Sequence, residues 1–218
     1  MAEIKQLKDP VSRRRFFAVG GGSAALAAFL AACGDDGGTT TMGTTDSMGS
    51  GGGKDETAQF GKGDVGILNY ALTLEYLEAA FYADVVKSGL FKGADLETIR
   101  KFGREEAEHV QALTAAVKQL GGKPAAEPKA EFPLESAKSV LELAGTVENL
   151  GAAAYLGQAA NIESPEVLAS ALAIHSVEGR HAAVLNTLLG ESITPDGAFA
   201  KPADVKTVLM SVEPFLVG

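Results

Sequence analysis

Two stretches of this chain repeat one arrangement of residues able to hold a metal ion or move a proton. Thr73-Leu74-Glu75-Tyr76-Leu77-Glu78-Ala79-Ala80-Phe81-Tyr82 and Thr146-Val147-Glu148-Asn149-Leu150-Gly151-Ala152-Ala153-Ala154-Tyr155 agree at six of ten positions. Each sets a glutamate seven residues ahead of a tyrosine. Farther along stands Glu-x-x-His-x-x-x-Leu, first as Glu106, His109 and Leu113, then as Glu178, His181 and Leu185. The Glu-x₆-Tyr pair recurs after 73 residues and the Glu-x-x-His pair after 72. A whole helical hairpin is therefore duplicated.

Residues at i and i+3, and at i and i+7, share one face of a helix. Each Glu-x-x-His thus aims a carboxylate and an imidazole at the same neighbour, and each Glu-x₆-Tyr adds a carboxylate with a phenol two turns away. Four helices carrying these motifs would deliver Glu75, Glu106, Glu148, Glu178, His109 and His181 into one interior. Four uncompensated carboxylates in a dry core would be prohibitively costly, and a pair of cations would neutralise them. The plainer alternative is a solvated helix face or a core histidine. Glu is 18 of 218 residues, so a histidine has Glu three places before it by chance in about 8% of cases. Two of the three histidines do so, each tied to its own Glu-x₆-Tyr partner, and that favours metal.

These motifs resemble the ferritin-like superfamily of di-iron and di-manganese carboxylate proteins. Within it, Leu74-Glu75-Tyr76-Leu77-Glu78-Ala79-Ala80-Phe81-Tyr82 and Val177-Glu178-Gly179-Arg180-His181-Ala182-Ala183 are similar to bacterial ferritin-like domain proteins related to plant desiccation-related proteins. The resemblance implies an all-α four-helix bundle holding two Fe or Mn ions. It puts Glu75, Glu106, His109, Glu148, Glu178 and His181 on the metal-ligand positions. Tyr82 and Tyr155 fall where the family often has tyrosines beside the ligands, and they are the candidates to assist the chemistry. Each hydroxyl is expected to reach the other hairpin, Tyr82 donating to Glu148 and Tyr155 to Glu75; the alternative is that both rings only fill the core. Ferroxidase, peroxidase or catalase-like activity with O₂ or peroxide is the implied function. A non-enzymatic metal-holding or desiccation-protective protein of the cell envelope is the other reading.

Residues 1–33 belong to targeting. Ser12-Arg13-Arg14-Arg15-Phe16-Phe17 resembles a twin-arginine export signal, and a general secretory signal with a basic start is the alternative. An apolar run from Ala18 to Ala32 follows, too short for a confident membrane span. It closes on Leu30-Ala31-Ala32-Cys33-Gly34, which looks like a lipoprotein box and predicts a lipidated Cys33 as membrane anchor. Otherwise Cys33, the only cysteine, is an ordinary buried thiol. Residues 34–63 carry almost no bulky apolar side chain and read as a disordered tether. Cleavage before Cys33 removes five basic and two acidic residues, leaving 14 basic and 26 acidic, a formal charge of −12. Such a surface argues against nucleic acid. No cysteine is left for an internal disulfide.

Residues 64–218 make one domain. The first helix is expected from an Asp64 N-cap to about Lys87, and the second from after Asp95 to Gly121-Gly122, with Leu120 turned inward. The third covers about Ser136 to Ala160. The fourth has Ser164 as N-cap, Pro165 at its first position and Gly190 as its stop; its inward face is read as Leu168, Leu172, His175, Glu178, His181, Leu185 and Leu188. Short connections make each pair an antiparallel hairpin, and the stretch containing Pro124, Pro128 and Pro133 is long enough to cross the bundle. Ala203 to Val212 should add a short helix. Glu78 shares a face with Glu75, but its repeat counterpart is Gly151, so symmetry favours Glu75. Glu105 and Glu108 lie off the inward stripe and read as solvated, and His175 reads as a core histidine. Oligomerisation is possible for such a fold.

Overall fold

The computed structural model describes residues 56–217. The expected export signal, Cys33 and most of the tether lie outside the described residues. Five α-helices occur among them: α1 (Gly63–Ser88), α2 (Gly93–Gln119), α3 (Ala137–Gln158), α4 (Pro165–Leu189) and α5 (Val205–Val212). The fold is all-α. Helix α1 packs chiefly on α2 and α3 on α4, giving two antiparallel hairpins joined by residues 120–136 as the crossover.

Local chemistry sets most of the boundaries. The Ser136 hydroxyl accepts from the Ser139 N–H while the Ser139 side chain returns to the Ser136 N–H, a reciprocal cap on α3. Ser164 caps α4 by accepting from Val167 N–H, Pro165 follows at the first helical position, and Gly190 ends the helix at φ 77°. Asp64 departs from its expected role. Helix α1 already begins at Gly63 with Lys62 before it, and the Asp64 carboxylate accepts from the backbone N–H groups of Glu163 and Ser164, both at 2.8 Å. It ties the start of α1 to the α3–α4 turn. Helix α2 likewise starts at Gly93, ahead of Asp95.

Three apolar clusters surround the middle of the bundle. Leu68, Leu72, Leu113, Val117, Val167 and Ile174 fill one end. Phe81, Val85, Ile99, Phe102, Val140 and Leu185 fill the other. Tyr70, Leu74, Leu77 and Ala154 meet Val205, Val208 and Val212, seating α5 over the seam between α1 and α3. The segment before α1, assigned by composition to the tether, packs on the bundle. Phe60 lies against Tyr70 with ring centroids 5.6 Å apart, and buried Asn69 donates to the carbonyls of Phe60 and Lys123 while accepting from Ala125 N–H. One buried amide thus joins the leading segment to the crossover.

The inward face of α4 corrects the sequence reading. Leu172 and Leu188 are each 46% exposed, as is Leu120 of α2 at 45%. The buried positions of α4 are Val167, Ala171, Ile174, Glu178, His181, Ala182, Leu185 and Asn186. At about 100° per residue, Leu172 is rotated about 120° from Glu178, whereas Ala171 and Ile174 stay on its face. Gly179, on the solvent side of α4, meets no atom within 4 Å of the position its Cβ would take. No contact requires glycine there, so Gly179→Ala should raise stability by about 0.5–1 kcal/mol, read as a higher midpoint in urea unfolding with unchanged slope. A lower midpoint would contradict this account.

Candidate metal centre

Helix positions one and two turns apart bring the two repeats face to face. Glu75, Glu106, Glu148 and Glu178 are each 0% exposed, and His181 is 2% exposed. They converge with His109 from four different helices. His109 Nδ1 lies 3.1 Å from Glu75 Oε2, 2.9 Å from Glu106 Oε2 and 3.2 Å from Glu178 Oε1. His181 Nδ1 lies 2.9 Å from Glu106 Oε1 and 3.2 Å from Glu148 Oε2. The six residues form two overlapping groups, Glu75, Glu106, His109 and Glu178 in one, Glu106, Glu148, Glu178 and His181 in the other. In each group, one atom per residue lies within 4.8 Å of all the others. Glu106 and Glu178 belong to both. All six residues singled out in the sequence are brought together.

The tyrosines cross between hairpins. Tyr82 on α1 donates its hydroxyl hydrogen bond to Glu148 on α3, and Tyr155 on α3 donates to Glu75 on α1. Both rings are buried, and burial raises both phenols, so they remain protonated donors. At Gly103 an added Cβ would sit 2.9 Å from Tyr82 Cβ. The absent side chain lets α2 approach α1 at the level of that ring.

A fifth buried carboxylate joins the layer. Glu78, which repeat symmetry set aside in favour of Glu75, is 3% exposed. It faces its own repeat counterpart: a Cβ on Gly151 would lie 2.8 Å from Glu78 Oε1 and 3.3 Å from Glu178 Oε2. One hairpin supplies the carboxylate and the other supplies the space for it. A cavity of about 20 Å³ beside Glu78 and Gly151 runs under Val208 and Val212 of α5, room for one water.

Glu105 is the residue the sequence reading missed. Its Oε2 lies 2.9 Å from His181 Nε2, and its side chain is 30% exposed. Lys101, one turn earlier on α2, reaches both of its oxygens at 2.5 and 2.7 Å. Lys-x-x-x-Glu on a helix normally marks a solvated ion pair, and its repeat counterpart is Val177, so neither pattern nor symmetry pointed inward. Glu108 is exposed, as read. His175 is within hydrogen-bond distance of the Ala152 carbonyl, 3.0 Å from Nδ1, and stays out of the cluster.

The electrostatics among these side chains follow from their burial and mutual proximity. Burial pushes Glu75 up to about 7 against the pull of His109, and raises Glu78 and Glu178 well above the usual carboxylate range. Burial opposes ionisation of Glu106 too, but hydrogen bonds from both imidazoles hold it at about 2. Burial works to lower the imidazoles, yet the surrounding carboxylates raise His109 to about 12 and His181 to about 11. Imidazolium Nδ1–H groups therefore stand in for cations. They are few for the acceptors present: His109 Nδ1 is shared among Glu75, Glu106 and Glu178, and His181 Nδ1 between Glu106 and Glu148. Carboxylate oxygens crowded about two imidazole nitrogens are a donor set that fits metal ions.

The family comparison agrees with this geometry. The family defined by the ferritin-like domain matches residues 63–191, from the first residue of α1 to just past the end of α4. No curated protein matches the chain.

A group whose folded-state pKa is raised stabilises the fold below its unfolded value and loses that contribution as pH rises through the folded one. For Glu75 the loss falls between 4.5 and about 7, and Glu78 and Glu178 act in the same direction. The imidazoles, raised from 6.5 to about 12 and 11, begin to lose theirs above 6.5 and so act in the same direction over the upper part of this interval. The metal-free protein, melted in chelator, should therefore have a lower Tm at pH 8 than at pH 5, and Glu75→Gln should flatten that slope. A Tm that rises over this interval would refute the assignment of burial as the dominant cause.

Proposed function

The chain belongs to the ferritin-like domain family, and on that premise we propose that its buried glutamates and imidazoles hold two iron or manganese ions for redox chemistry with O₂ or a peroxide. The observation that carries this reading is the convergence of four buried carboxylates and two imidazoles from four helices into two overlapping groups that share Glu106 and Glu178. Glu75 and His109 would hold one ion and Glu148 and His181 the other, with Glu106 and Glu178 shared. Bound in the reduced state, such a pair supplies the electrons that reduce O₂ or peroxide.

The protein's own part is positional and electrostatic. Four helices fix the donors before any ion arrives, so little reorganisation is needed on binding. The Tyr82 and Tyr155 hydroxyls hold one oxygen each of Glu148 and Glu75, leaving the second oxygen of each directed at an imidazole. Apolar clusters on both sides exclude water from the layer, which strengthens every charge interaction within it.

Export belongs to the same proposal. Ser12 to Phe17 and the box ending at Cys33 support passage out of the cytoplasm and anchoring by lipid at Cys33, with a twin-arginine route suited to a bundle already loaded with metal. That would set an oxidant-consuming or metal-holding, stress-protective protein in the cell envelope. Cys33→Ser should release the protein from the membrane fraction or leave its precursor unprocessed; normal processing with unchanged membrane association would exclude lipidation.

Turnover is tested on protein expressed with its signal, analysed for metal and then mixed with Fe(II) or peroxide. Fe(II) oxidation or peroxide loss beyond the stoichiometry of bound metal is expected, and metal bound without turnover would leave a metal-holding protein. Tyr82→Phe and Tyr155→Phe should each weaken metal affinity or oxidation by roughly ten-fold while far-UV CD is unchanged. No change in either quantity for both single variants and the double would reduce the tyrosines to packing.

A further inference from the structure

The duplicated halves place equivalent imidazoles in unequal surroundings. His181 has its outer nitrogen, Nε2, 2.9 Å from Glu105 Oε2, and Lys101 in turn clamps Glu105. Its ring stacks on Phe102 with centroids 4.1 Å apart and planes 29° from parallel. His109 has every polar contact through Nδ1. Among the described residues its Nε2 has no partner, because the repeat places Val177 where α2 has Glu105. The side chains are 3% exposed for His181 and 12% for His109.

An acceptor on the outer nitrogen fixes which nitrogen carries the proton and which presents its lone pair, and it fixes the orientation of the ring. With Glu105 in place, the His181 Nε2–H is committed outward and Nδ1 faces the carboxylates. His109 is oriented through Nδ1 alone, with no acceptor on its outer nitrogen to select its tautomer when an ion binds. Resting on the di-metal reading above, we propose that Glu105 makes the two cation positions unequal: the His181 position is filled first and retained, and the more open His109 position is loaded second and exchanges. Glu105 is a positioning residue, acting through His181 and not on the ion. Losing such a partner costs about 10–100-fold in metal affinity, so the two positions should differ by about that factor.

Titration of the full chain with Mn(II), followed by calorimetry and by electron paramagnetic resonance of free Mn(II), tests this without reference to turnover. The wild type should bind two Mn(II) in steps separated by at least about ten-fold. His181→Ala should abolish the tight step and His109→Ala the weak one. Glu105→Ala should weaken the tight step alone by about 10–100-fold, and Glu105→Gln, which keeps a neutral acceptor, should weaken it less. Val177→Glu, supplying the missing counterpart, should tighten the weak step. Glu105 is partly solvated, so its Ala and Gln variants are expected to keep the far-UV CD of the wild type. Two indistinguishable steps in the wild type, or a Glu105→Ala protein whose steps are both unchanged or equally weakened, would overturn the inference while leaving the di-metal reading intact. A wild type that binds neither Mn(II) nor Fe(II) would overturn both.

Discussion

Five glutamate side chains, none more than 3% exposed, lie in one layer of this bundle, and their mutual repulsion in a water-poor interior is the constraint to which the surrounding structure answers. Unpaired, each would cost several kcal/mol to ionise there. Two imidazoles take up part of the charge, and two phenols supply neutral donors to one oxygen of Glu148 and one of Glu75. What remains is more carboxylate oxygens than the two imidazole nitrogens facing them can serve. Packing alone does not account for such a layer, because leucines of similar volume would fill it without the desolvation penalty. The carboxylates make physical sense as one half of a charge balance whose other half is cationic.

Duplication explains how so demanding a layer is assembled. One hairpin carrying Glu-x₆-Tyr and Glu-x-x-His presents two carboxylates, an imidazole and a phenol, but its tyrosine lies one layer beyond its own glutamate. Antiparallel apposition of a second copy brings each phenol to the partner's glutamate, so neither half is satisfied alone. The symmetry then breaks where steric room runs out. Glu78 and Gly151 are counterparts that meet face to face, and two carboxylates cannot share the volume that Gly151 vacates.

The part of the fold visible in sequence was the part with periodicity. Glu75, Glu106, Glu148, Glu178 and the two histidines repeat, so face, helix and partner could be read together, and loop lengths gave the crossover. The ends of α4 at Ser164 and Gly190 were legible because their chemistry is local, whereas the reciprocal cap at Ser136 emerged only in the structure. Asp64, Asn69 and Glu105 were misread or passed over because their partners lie 99, 54 and 76 residues away. Local pattern assigns an acidic residue to the nearest helix end or lysine. The error on α4 had another origin: Leu172 and Leu188 are as apolar as Ala171 and Leu185, and only the angular drift from Glu178 decides which of them turns inward.

The two seams of the bundle explain where the remaining polar partner could be placed. Helix α5 covers the α1–α3 seam, and the chain beyond it pairs with the crossover through Glu131 N–H to Phe215 O and Val217 N–H to Lys129 O. A sixth carboxylate added on that side would be fully buried beside Glu78 and Glu178, raising the repulsion the layer already carries. The α2–α4 seam meets solvent at Glu105, 30% exposed beside His181, and Arg104, Glu108 and Arg180 are exposed on the same two helices. There Glu105 keeps part of its hydration and a lysine partner while still reaching His181 Nε2. Its negative charge is thus screened on the outside and directed on the inside, which lets an imidazole be oriented without adding another desolvated anion to the core. Steering the metal layer from its solvent edge is the arrangement that the burial constraint itself favours.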